Sequence, residues 1–145
     1  MWIDRLTASR TMHALELAAR FAEQRQQVLA ENLANIDTPD YQTRRLDPNA
    51  FQASLHKALA AARQDGQRRL KLRGNAQFAT EPDGEIRVRP ATEPAPNVLF
   101  HDGTNARLEQ TLTDISRNAM SYEMSTSLLR GKFQNLLRAI RGRTE

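Results

Sequence analysis

The stretch Glu31-Asn32-Leu33-Ala34-Asn35-Ile36-Asp37-Thr38-Pro39-Asp40-Tyr41 decides how this chain is read. Its first half carries a helical pattern and its second half forbids a helix. Proline disfavours helical backbone in the residue before it, so a helix arriving from the N-terminus must end before Pro39. Asn32 and Asn35 lie three apart on one row, flanking Leu33 and Ile36. Amides are poor helix formers, yet at a helix end they satisfy backbone groups that have lost their partners. One reading is an ordinary helix stop followed by a turn. The sharper one is a moulded corner whose amides fix the outgoing loop against the helix or a neighbouring molecule.

Upstream of the corner, apolar positions alternate in steps of four and three: Ala8, Met12, Leu15, Ala19, Ala22, Gln26, Leu29, Leu33, Ile36. Only Gln26 breaks the polarity of this heptad seam. The pattern predicts a helix of about 30 residues, roughly 45 Å long. The far end of the chain repeats it through Leu108, Leu112, Ile115, Ala119, Tyr122, Thr126, Leu129, Phe133, Leu136 and Ile140. Asp102-Gly103 reads as the turn before this second helix, and Gly142 as its stop. Two long stripes of this kind pack against each other or against neighbours. If they pair within the chain, the connection makes them antiparallel and brings the termini together.

Between them a shorter helix is predicted, with Asp47 as N-cap, Pro48 at its first position and Gly66 as its stop. Phe51, Leu55, Ala58, Leu59 and Ala62 form its apolar face. From Gln67 to Phe100 the character changes. Leu70 and Leu72 alternate with basic residues, as do Ile86 and Val88, and Pro82-Asp83-Gly84 reads as a turn between strands of a short hairpin. Pro90, Pro94 and Pro96 mark an extended linker. With few large apolar residues, this middle is expected to be the most mobile part. The fold class is mainly α: two terminal heptad helices in an antiparallel coiled-coil hairpin, a short third helix, and a partly extended or hairpin middle. The divisions fall at 1–38, 39–66, 67–104 and 105–145.

Composition narrows the function classes. A 145-residue chain that is 39% hydrophobic and 6% aromatic is short of core fillers and suits long helices that finish their burial in an assembly. The absence of cysteine excludes disulfides, thiolate metal sites and thiol catalysis. Neither a cleavable signal nor a membrane span is read, so direct membrane insertion is not expected. The net charge of +4 raises nucleic acid as a partner, but no zinc spacing or RNP pattern accompanies the scattered arginines, and nucleic-acid binding is not expected. His13, His56 and His101 fit no ligand spacing, and no catalytic or cofactor motif is present, so no catalytic, metal or cofactor residue is assigned. Asp37 and Asp40 read as turn and cap residues rather than a carboxylate pair.

Asn32-Leu33-Ala34-Asn35 with Thr38-Pro39-Asp40-Tyr41 resembles the N-terminal signature of flagellar rod, hook and hook-associated proteins, Asn-x-Ala-Asn-x-x-Thr-Pro-Gly-Tyr. Arg45-Leu46-Asp47 with Phe51 and Leu55 is similar to the segment after that signature in the small proximal-rod branch. Asp102-Gly103-Thr104-Asn105 and the run from Leu108 through Asn118-Ala119, Tyr122 and Lys132-Phe133 to Ala139-Ile140 resemble that branch's closing turn and helix. The resemblance implies a non-enzymatic, self-assembling subunit of the basal-body rod. It implies export by the flagellar type III apparatus without a cleavable signal, and other rod subunits and basal-body components as partners. It also implies a periplasm-spanning rod that passes torque from motor to hook and is required for motility. The seam residues would then join helices within and between subunits. One position departs from the pattern: the glycine after the proline is Asp40. At the third position of a type II turn the backbone needs positive φ, which Asp tolerates less well than Gly, so the turn is either slightly strained or of another type.

Overall fold

The structure, a computed structural model, describes residues 9–66, 69–81, 86–92 and 108–142. Helix α1 runs Arg10–Ala34, strand β1 Arg44–Arg45 and helix α2 Pro48–Gln64. Strands β2 Phe78–Thr80, β3 Ile86–Val88 and β4 Ala91–Thr92 come next, then helix α3 Leu108–Ile140. Ala8, the Pro82-Asp83-Gly84 turn, Pro94, Pro96, His101 and the Asp102–Gly103 turn lie outside the described residues.

Local chemistry sets the helix limits. The Ser9 hydroxyl accepts from the Met12 amide and opens α1. Asp47 caps α2 by accepting from the Asn49 amide at 2.9 Å, with Pro48 in the first turn. Gly66 and Gly142, at φ +67° and +66°, take the left-handed conformation just past the ends of α2 and α3. Helix α1 ends earlier than expected, at Ala34 rather than just before Pro39. Residues 35–40 form turns instead, because Asn35 caps the helix by returning both its backbone and side-chain N–H to the Glu31 carbonyl.

The core lies on a face of α1 that the heptad reading passed over. Ala14, Leu17, Phe21 and Val28 are buried against Leu46, Phe51, Ala58, Ala62, Leu70, Leu72 and Phe78. Phe21 stacks on Phe51 with ring centroids 4.1 Å apart, and Phe78 meets both rings edge-on at 6.1 and 5.7 Å. The middle segment thus contributes Leu70, Leu72 and Phe78 to the core. Leu70, Leu72 and Phe78 close the core because three large side chains suffice to cap a face built mainly of alanines and two phenylalanines.

A hairpin is present with a different first strand from the one expected. Strand β2 pairs antiparallel with β3, Phe78 opposite Val88, whereas Leu70 and Leu72 insert into the core without forming a strand. Strand β1 pairs antiparallel with β4, Arg44 opposite Thr92. That pairing ties the chain leaving the corner to the chain leaving the hairpin, a link no local pattern announces.

Helices α1 and α3 share the most extensive contact between any two elements. At 33 residues, α3 exceeds the 25 of α1 by eight, so about 12 Å of it has no α1 to face. No helix among the described residues is long and apolar enough to cross a membrane.

Candidate assembly site

The corner is built around one buried side chain. Asn32, on the last turn of α1, donates from Nδ2 to the Arg44 carbonyl at 2.7 Å and accepts from the Arg44 amide at Oδ1, 2.9 Å. Its amide thus pairs with Arg44 as a neighbouring strand would, satisfying both backbone groups of a residue that has a strand partner on its other side only. The Tyr41 hydroxyl donates to the same Oδ1 at 3.0 Å. Burial pushes the Tyr41 phenol up, with Glu31 acting in the same direction and Arg44 against it, so the group stays a donor.

Asn35 does the complementary work on the helix side. Besides its bonds to Glu31, its carbonyl accepts from the Thr38 amide at 3.0 Å, and its Oδ1 lies 3.5 Å from the Thr38 hydroxyl. The Tyr41 amide then donates to the Thr38 carbonyl at 3.2 Å, closing a four-residue turn over Pro39 and Asp40. Asp40 has φ +60° and is the only non-glycine residue with positive φ among the described residues. Proline at the second position and positive φ at the third define a type II turn. Leu33 and Tyr41 are half-buried, while Ala34, Thr38, Pro39 and Asp40 face solvent.

The second part of the site is the α1–α3 pair. Asn118, 3% exposed, donates from Nδ2 to the Ala22 carbonyl at 2.7 Å and to Gln26 Oε1 at 2.9 Å. The buried Arg25 donates from Nε to the Leu46 carbonyl and from Nη2 to Asp114 at 3.1 Å. One guanidinium thus joins α1, the chain between β1 and α2, and α3. These polar contacts fix which faces of the helices meet, since sliding or rotating α3 would strand a buried amide and a buried cation.

The seam residues divide unevenly. On α1, Met12, Ala22 and Leu29 are buried and Leu15, Ala19, Gln26 and Leu33 half-buried; Ile36 is half-buried too but lies in the turn past the helix end. On α3, Ile115, Thr126, Leu129 and Leu136 are half-buried, whereas Leu108, Leu112, Tyr122, Phe133 and Ile140 are between 43% and 57% exposed. The fully buried residues of α3 are Thr111 and Asn118, both polar, among the described residues. Helix α3 is therefore turned so that Thr111 and Asn118, beside the seam, are its most deeply buried residues, while the apolar seam is at best half-buried. Among the described residues, the exposed large hydrophobic side chains all lie on α3. Among the described residues no group of three or more histidine, aspartate and glutamate side chains is placed to hold a metal ion.

A corner that folds the chain back on a long helix, and a partner helix whose apolar stripe stays open, describe a piece of something larger. The flagellar basal body rod protein FlgB of Escherichia coli (strain K12) is 30% identical over 144 residues, covering 95% of this chain and 96% of that protein. This chain belongs to the FlgB family of flagellar basal body rod proteins. FlgB of Salmonella typhimurium is 25% identical, covering 97% of this chain and 98% of its own, and FlgB of Bacillus subtilis (strain 168) is 22% identical over 134 residues. No protein-family model matches the sequence. The matches to these three FlgB proteins each span more than nine-tenths of both chains.

Sequence reasoning missed Leu17, Phe21 and Val28 as core, and Arg25 as a clamp. A second row of α1, Ala14-Leu17-Phe21-Arg25-Val28-Asn32, runs in steps of three and four along one helix face without the strict alternation of a heptad. The arginine in its middle masked it.

Proposed function

We propose that this chain is a structural subunit of the flagellar basal-body rod, in the proximal rod that crosses the periplasm and passes torque from motor to hook. The near full-length likeness to FlgB proteins carries the reading. The relatives are named for a structure and not for a reaction, and packing is the whole of the mechanism, without catalysis, metal or cofactor. In this reading the chain leaves the cytoplasm through the flagellar type III export apparatus, and neither spans a membrane nor binds nucleic acid. Its partners are other rod subunits and basal-body components.

The two long helices close as an antiparallel coiled-coil hairpin when neighbours clamp them. The heptad seams on both, and their extended contact in the single chain, support this. Seam residues of α3 that stand open in the monomer then meet helices of adjacent subunits, and the signature corner holds the β1–α2 region at a set angle to that core. A heterologous helical assembly needs distinct surfaces on each subunit, which an α-helix with apolar residues on more than one face provides.

Deleting the gene in its own host and complementing with a tagged copy tests this. Loss of motility on deletion, restored swimming, and label in the rod of purified basal bodies are expected. A fully motile deletion strain, or label absent from basal bodies of complemented cells, would overturn the reading.

A further inference from the structure

Helix α3 carries a second apolar stripe that the heptad seam does not explain. Met120 and Met124 are the most exposed large hydrophobic residues, at 70% and 67%, and Leu128 continues their row. At about 100° per residue this row lies on nearly the opposite side of α3 from Asn118, Ala119 and Tyr122, which face the α1 side. Exposed methionines in a row are costly in water and adapt to irregular apolar surfaces.

An apolar groove of about 390 Å³ opens between α1 and α3, lined by Ala22, Gln26, Ala30, Ala119 and Tyr122, with Glu23 at its edge. Gln27 and Asn118 line it as well, yet the surface it presents is almost wholly apolar, from the alanines, Tyr122 and the stems of the polar side chains. Groove and stripe face away from each other on one molecule. A surface and its complement on opposite sides make a head-to-tail contact that repeats rather than closes.

The charges agree with that match. Glu23 and Arg117 are both exposed, and among the described residues neither is in an ion pair or hydrogen bond between side chains. Arg117 lies on the stripe's row one turn before Met120. Glu23 to Ala30 is seven residues along α1, and Arg117 to Met124 is seven along α3, two turns in each case. With α3 of one molecule running parallel to α1 of the next, setting Arg117 on Glu23 places Met124 over Ala30.

We infer that the groove between α1 and α3 receives the Arg117–Met120–Met124–Leu128 stripe of a second copy of this chain, in a heterologous contact keyed by Glu23 and Arg117. The inference rests on the rod-subunit reading for its setting and adds the surfaces and the partner. Three side chains bury less than the roughly 1,000 Å² expected of a stable pair, so the contact is weak in dilute solution and forms where copies are concentrated.

The chain has no cysteine, which makes introduced thiols clean reporters. Ala30→Cys and Met124→Cys variants of the full chain, mixed at high concentration and oxidised, are expected to give the 30–124 disulfide several-fold over 30–30 and 124–124. Arg117→Glu in the Met124→Cys chain should reduce that yield several-fold, and Glu23→Arg in the Ala30→Cys chain should restore it. Circular dichroism of each variant confirms that its helices are intact. A 30–124 yield no higher than that of a control pairing Met124→Cys with His56→Cys, which sits exposed on α2, overturns the contact. So does dominance of the 124–124 product, the mark of a two-fold arrangement. Either failure alongside normal complementation of motility removes this contact alone and leaves the rod reading standing.

Discussion

Helix α1 has two sides, and they are finished to different degrees. One side is closed by the chain itself: Leu17 and Phe21 lie under Phe51, Phe78, Leu70 and Leu72, with three aromatic rings in mutual contact. The other side meets α3, where the buried residues are Thr111 and Asn118, and Leu108, Leu112, Tyr122 and Phe133 remain open. The first region resembles the core of a small domain. The second resembles half an interface, held in place by polar clamps until something covers it. Such a chain separates what folding must supply from what assembly must supply, and substitutions can be sorted by side.

The largest effect on fold stability is expected on the closed side. Phe51→Ala removes a stacked ring from a 3% exposed site and should cost about 3–5 kcal/mol, read from denaturant unfolding. A loss under about 1 kcal/mol would show that the aromatic cluster is not the centre of stability.

Next comes the corner that joins the two regions. Asp40 sits at φ +60°, where a β-branched residue is strongly disfavoured, so Asp40→Val should cost about 1–2 kcal/mol. Asp40→Gly should be close to neutral, because relief of local strain is offset by the greater freedom of glycine in the unfolded chain. Thermal melts of the two variants and their rod yields check this. Equal behaviour of valine and glycine would remove backbone conformation as the reason for the position.

A smaller, pH-dependent effect belongs to His13. Its Nδ1 accepts from the Leu70 amide at 2.9 Å, holding the middle segment to α1, a bond worth about 0.5–1.5 kcal/mol net. Burial lowers its pKa, Glu16 opposes the shift, and Arg69 and Arg20 reinforce it. The unfolded chain then binds the proton more readily than the folded one. The contribution is complete above the ordinary histidine value of about 6.5 and is lost as pH falls below it. His13→Leu should flatten that part of the stability profile; an unchanged acid slope would place the titration elsewhere.

The smallest change in stability, paired with a large one in function, is expected on the open side. Phe133 is 46% exposed, so Phe133→Asp should alter unfolding by no more than about 0.5 kcal/mol. A carboxylate on the seam, buried by a neighbour, should nevertheless abolish swimming at normal protein levels. Normal motility would mean that Phe133 stays in solvent in the assembled state.

Legibility in the sequence divides along the same line. The corner, the Asp47 cap with Pro48, the stops at Gly66 and Gly142, and the exceptional backbone at Asp40 were legible, because each is a local event dictated by one or two residue types. The closed core was only half legible. Its α2 face was read, but its α1 row is interrupted by Arg25, whose guanidinium is spent on the Leu46 carbonyl and Asp114. The β1–β4 pairing joins residues far apart in sequence through two-residue strands, which leave no periodic trace. The rotation of α3 was invisible for a different reason. A heptad pattern marks a stripe destined for burial without saying whether the same chain buries it, and here the polar edge at Asn118 and Asp114 sets the angle.

Amide hydrogen exchange on the dilute monomer tests that division most directly. Slow exchange is expected in α2 from Phe51 to Ala62, under the aromatic cluster, and fast exchange from Glu123 to Ile140 in α3, with protection of the latter gained on assembly. Protection from Glu123 to Ile140 equal to that of α2 in the monomer would contradict it, because the open half of the α1–α3 region would then already be closed.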